Sequence, residues 1–142
     1  MAEILYDQGE QLFREVIFTD AELTGPFYIG LGEGFFPPND SATLSDVIEV
    51  SGTNYSRIAV ARDEDGWTPI NASMSTDVLE WHNLDPAASW TPAEYAFLTL
   101  SPSGQDEPNI LISAVDLPKT IILGPTQVAS MMVRFKFASR TT

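Results

Sequence analysis

Apolar residues recur along this chain in two rhythms. In the first, Leu12, Phe13, Val16 and Ile17 fall three and four residues apart, while Glu10, Gln11, Arg14 and Glu15 occupy the remaining face. That spacing predicts an amphipathic helix from Asp7 to Phe18, with Asp7 and Glu10 as a capping-box-like start. Such a helix either lids the domain's own core or docks on another subunit.

The second rhythm is that of short strands between turns. Thr24-Gly25-Pro26 breaks the chain before the apolar run Phe27 to Leu31. A loop follows in which Phe35 and Phe36 precede Pro37 and Pro38. Because Pro-Pro excludes regular structure, these two rings either fold back onto the core or sit at an interface. Leu44, Val47 and Ile48 suggest one helical turn capped by Ser41 or Thr43. The turn residues Ser51-Gly52-Thr53-Asn54 then lead into a strand begun by Tyr55, Ile58 and Val60, bracketed by Arg57 and Arg62. Asp63-Glu64-Asp65-Gly66 reads as a solvated turn, since the later ligands of a calcium loop are missing at the required spacing.

Beyond Trp67, alternation at Val78, Glu80 and His82 is followed by apolar runs at Tyr95–Leu100, Ile110–Val115, Thr120–Leu123 and Ser130–Phe137. Asp85-Pro86, Pro102-Ser103-Gly104, Asp116 to Lys119 and Gly124-Pro125 punctuate them. Short strands at this spacing predict a mainly β fold, an antiparallel β-sandwich or jelly-roll-like domain with one N-terminal α-helix. One domain spans residues 1–142, with a helical segment over 1–20 and the sandwich over 26–138. In the last strand Val133, Phe135 and Phe137 share the core face, and Arg134 and Lys136 share the other. Those bases are solvated, protect an edge, or meet an acidic neighbour.

Composition narrows the function classes. Twenty acids against 7 bases give a net charge of −13 over 142 residues, which disfavours nucleic acid and anionic membrane surfaces as partners. There is no cysteine, so thiol nucleophiles and Cys-based metal sites are excluded. No apolar run approaches the roughly 20 residues of a membrane helix, and Met1-Ala2-Glu3 lacks the basic start of a secretory signal. A soluble chain is expected.

Catalytic signals are sparse. His82 is the only histidine, with no G-x-S-x-G or HExxH motif around any candidate nucleophile. Glu80 and His82 fall on one face of a strand, where an exposed ion pair is expected. Asp46, Glu49 and the Asp63 to Asp65 cluster offer paired carboxylates of the glycosidase kind, but an acid-rich chain provides such pairs by chance. The expectation is a protein that is not an enzyme, with no cofactor and no metal. Trp67, Trp81 and Trp90 could stack on sugars if exposed, although burial is expected for at least two.

The segments Leu5-Tyr6-Asp7-Gln8-Gly9-Glu10, Tyr28-Ile29-Gly30-Leu31 and Leu44-Ser45-Asp46-Val47-Ile48-Glu49-Val50-Ser51-Gly52-Thr53-Asn54-Tyr55-Ser56-Arg57, in that order, resemble small virion structural proteins of tailed bacteriophages. The likeness covers most of the chain and departs from the pattern at Gly32 to Pro38. The resemblance implies a virion location and a capsid cement or decoration role on the outer capsid lattice. The alternatives are a tail, baseplate or fibre component, or a carbohydrate-binding module for host adsorption. It further implies as partners other copies of the chain, with a homotrimer expected, and a virion protein such as the major capsid protein. Leu12, Phe13, Val16, Phe35, Phe36, Arg134, Lys136 and Arg140 are the expected interface residues.

Overall fold

A computed structural model describes residues 3–20, 22–23, 25–71, 73–101 and 110–136. The strands β1 (Glu3–Leu5), β2 (Phe27–Gly32), β3 (Ile58–Val60), β7 (Ala93–Leu100) and β8 (Ile110–Ile121) form an antiparallel five-stranded sheet in the order β1-β8-β7-β2-β3. A three-stranded sheet, β10-β5-β4, is built from β4 (Trp67–Ile70), β5 (Ser73–Thr76) and β10 (Arg134–Lys136). A two-stranded ribbon joins β6 (Leu79–His82) to β9 (Val128–Met131). The fold is mainly β with one N-terminal helix, α1 (Asp7–Thr19), consistent with a β-sandwich.

The main core is one continuous cluster. Ile29, Leu31, Leu98, Leu100 and Ile112 of the large sheet meet Trp67, Leu79, Trp81 and Phe135 of the smaller sheets and Val133 between β9 and β10. On the opposite face of the large sheet, Tyr6, Tyr95, Phe97 and Leu111 form a second cluster, roofed by Phe36, Ala42, Leu44 and Val47 of the loop after β2. Gly30 leaves room for this arrangement: a Cβ there would lie 2.3 Å from the Phe97 ring.

The helix starts where expected and runs one residue further, to Thr19, ending at Asp20 in the left-handed conformation (φ 55°). Its start differs. Tyr6 is the N-cap and no side chain caps the helix, because Tyr6 is fully buried with its hydroxyl donating to the Pro37 carbonyl at 2.9 Å. The N-terminal stretch is also less separate than a 1–20 attachment segment implies, since β1 pairs with β8 at Glu3↔Val115 and Leu5↔Ser113.

Four other expectations change. Residues 116–119 are not a turn: β8 continues through them, with Pro118 in the irregular stretch between the Tyr95↔Asp116 and Ala93↔Ile121 pairs, where a missing N–H is tolerated. The last strand is two, because the chain leaves β6 after Met131 and joins β5 at Arg134. Between them Val133 N–H donates to Thr76 Oγ1 and Thr76 N–H to the Val133 carbonyl, both at 2.9 Å. Tyr55 lies outside β3, which begins only at Ile58. A β4–β5 hairpin also forms around Asn71, whose φ is 54°. The expected buried faces of Val133 and Phe135 and exposed faces of Arg134 and Lys136 are observed. Phe137, Arg140 and the Pro102 to Gly104 turn lie outside the described residues.

Candidate interaction surfaces

The most organised polar constellation is the loop between β2 and β3. Arg57 forks onto Glu49, its Nη2 donating to Oε1 at 2.9 Å and its Nε to Oε2 at 3.0 Å. Tyr55 OH donates to the same Oε2 at 2.7 Å and accepts the Leu31 N–H at 2.8 Å. The guanidinium also lies 5.6 Å from the centre of the Phe97 ring. Burial, and next the Glu49 carboxylate, pushes the Tyr55 phenol far above its ordinary value.

One loop further, Trp90 Nε1 donates to the Thr53 carbonyl at 2.9 Å and its ring meets Tyr55 edge-on at 5.5 Å. Gly52 is required there, because a Cβ would fall 2.0 Å from the Trp90 ring. Thr53 Oγ1 donates to Asp85 Oδ2 at 2.8 Å. The Ala87 N–H above all, then Thr53 and the Ala88 N–H, hold the Asp85 carboxyl below its usual range.

These groups satisfy one another, so the constellation fixes a loop against the sheet and offers a ligand little that is unpaired. Glu49 is committed to Arg57 and Tyr55, and Asp46 accepts the Thr43 N–H at 2.9 Å. Asp63 closes its own turn, accepting the Asp65 N–H at 3.0 Å. His82 and Glu80 share a strand face, with Nε2 to Oε2 3.1 Å apart and about half of each side chain exposed. Among the described residues, no group of three or more His, Asp or Glu side chains could hold a metal ion.

The expected interface residues separate into two groups. Leu12 is buried in the main core at 4% exposure, which removes it from any docking face. Phe13 and Val16 pack partly against that core. Phe13 lines a cleft of about 460 Å³ with Phe27, Trp67, Met74 and Leu98. Phe36 packs edge-on against Tyr95 at 6.1 Å, so it belongs to the roof of the second cluster rather than to an interface. Phe35, by contrast, is 94% exposed. Arg134 and Lys136 are exposed, and the Lys136 backbone N–H donates to Glu3 Oε1. Arg140 lies outside the described residues.

Several exposed apolar residues were absent from that expectation, Ile48, Ile122 and Met132 among them. Ile17 and Phe18, in the last turn of α1, are 72% and 81% exposed. Ile17 falls on the predicted apolar stripe but extends beyond the contact made through Gly9 and Leu12, and Phe18 had no periodic signal. Lys119 also lines a groove of about 370 Å³ between β8 and the β9–β10 segment, together with Arg134. All three tryptophans are buried, at 7%, 2% and 4% exposure for Trp67, Trp81 and Trp90. None presents an open ring face for sugar stacking.

Compared with known protein families and with curated proteins, the chain matches no family model and no individual sequence.

Proposed function

We propose that this chain is a non-enzymatic structural protein of a tailed-phage virion, a cement or decoration protein bound to the outer capsid lattice. Two supports carry the reading: the resemblance of the Leu5 to Arg57 segments, and large apolar side chains left in water on an otherwise acid-rich surface. The single observation with most weight is the exposure of Ile17, Phe18 and Phe35, at 72%, 81% and 94%. Side chains of this kind anchor interfaces when a partner desolvates them.

Attachment then runs through the end of α1 and the Phe35 loop, with Arg134 and Lys136 orienting the protein against carboxylates of a capsid subunit. Many acidic copies on a particle repel one another and keep it dispersed. The partners are the major capsid protein and further copies of this chain. Burial of the tryptophans weakens the carbohydrate-binding alternative, and a tail or fibre position is the competing placement. Labelling the protein on purified particles, or reconstructing the virion, tests the reading. Signal on the capsid lattice supports it, and signal confined to the tail rejects it.

A further inference from the structure

The groove of about 370 Å³ between the far end of β8 and the β9–β10 segment brings two strand edges and two cations together. Its lining grades in exposure: Val115 and Val133 are buried, Leu117 and Ile121 half-buried, Lys119 and Arg134 exposed. The result is an apolar floor with cations at its rim. β1 leaves β8 at the Glu3↔Val115 pair, and β9 pairs with β6 alone. Among the described residues, the far end of β8 and one side of β9 therefore have no strand beside them, and both line the groove. Pro118 removes one donor from that edge, so side chains carry most of any recognition there.

Charge indicates the occupant. Arg57 is committed to Glu49, and Arg62 to the Leu23 and Gly25 carbonyls. Neither Lys119 nor Arg134 forms an ion pair or a side-chain hydrogen bond with another described residue. Asp116 also lines the groove, which leaves two cations to one carboxylate in a chain of net charge −13. A carboxylate-bearing occupant complements that rim. A nucleic-acid strand fits less well, because the rest of the chain repels a polyanion and the apolar floor needs apolar groups against it.

We propose that this groove binds an extended acidic segment of a partner protein, with apolar side chains against Leu117, Ile121 and Val133 and carboxylates on Lys119 and Arg134. The proposal rests on the attachment reading above in taking that segment to belong to a capsid subunit, and it adds the site and the chemistry that recognises it. Exposed ion pairs are weak and screened, so the affinity is low and falls with salt.

The probe is a labelled, end-blocked peptide of alternating Glu and Leu, about eight residues long, which spans a strand of ordinary length. Its binding to the full chain is read by fluorescence anisotropy, with circular dichroism confirming the fold of each variant. Lys119→Ser combined with Arg134→Ser should weaken binding roughly tenfold at low salt and by less at high salt. Peptides with Gln in place of Glu, or Ser in place of Leu, should each bind the unaltered chain more weakly than the original. Amide shifts in NMR spectra should centre on Leu117 to Ile121 and Ser130 to Arg134.

Absence of binding at every salt concentration overturns the proposal, as do equal affinity for the Gln peptide and shifts centred elsewhere. Tighter binding of a single-stranded oligothymidylate also overturns it, by making the groove a phosphate site. A chain that decorates capsids yet fails these tests rejects only the groove, whereas one that binds the peptide here and labels the tail rejects only the capsid placement.

Discussion

Arg57 holds Glu49 with both arms of its fork, at 2.9 and 3.0 Å, and each side chain is only about a quarter exposed. The pair pins the loop after β2 to the strand edge before β3. Removing either partner takes both bonds of the fork out of a partly dry site that also holds the Tyr55 hydroxyl. Arg57→Ala should therefore lower stability by about 1–3 kcal/mol, and Glu49→Gln by less, because the amide oxygen still accepts. Urea titration of the two variants with their double variant reads the coupling, and additive losses would contradict a linked pair.

Gly52→Ala tests the packing on the other side of the same loop. Its Cβ would overlap the Trp90 ring, so the loop must shift or the indole must give up its bond to the Thr53 carbonyl. A loss of about 1–3 kcal/mol is expected. Thermal melts with tryptophan fluorescence should report it, and an unchanged melt with unchanged emission would refute the placement of Trp90.

Alkali should unfold the protein through its phenols. Burial raises all three of Tyr6, Tyr55 and Tyr95, with Tyr95 pushed up to about 12. In the unfolded chain each would ionise near about pH 10. Because the folded values are the raised ones, the stabilisation is fully present below about pH 10 and is lost as pH rises through about 12. NMR or phenolate absorbance read beside circular dichroism should show these phenols ionising together with unfolding. Ionisation of Tyr6, Tyr55 and Tyr95 near pH 10 in a folded chain would contradict the burial described.

How far the sequence foretold this follows from which signals are local. The 3.6-residue spacing of Leu12, Phe13 and Val16 marks α1, and the turn chemistry of Ser51 to Asn54 marks the loop, where Asn54 is left-handed with φ 64°. The Glu49–Arg57 fork was not legible, because two residues eight apart meet only once that turn folds back. Asp116-Leu117-Pro118-Lys119 has turn composition, yet β8 runs through it because the neighbouring strand breaks register there. β5 was hidden by Ser73, Ser75 and Thr76, polar residues buried or half-buried in the sheet; Thr76 bonds the Val133 backbone. Exposure of Ile17 depends on where the helix loses contact with the sheet, which periodicity does not report.

The bases should act on orientation more than on affinity. An Arg134→Ser, Lys136→Ser double variant should bind capsids less well at low salt and nearly normally at high salt, since exposed pairs contribute only roughly 0–1 kcal/mol each and are screened. Equal weakening at every salt concentration would contradict that role.

On the proposed reading, the buried residues of α1 build the fold while its exposed end attaches the protein. Leu12→Ala should cost about 2–5 kcal/mol of stability, whereas Phe18→Ser should change stability by no more than about 0.5 kcal/mol. The decisive measurement is incorporation of folded Phe18→Ser protein, alone and with Phe35→Ser, onto capsids lacking the wild-type chain. A folded variant that fails to decorate the particles is the expected result. Full occupancy by the doubly substituted, normally folded protein would contradict it.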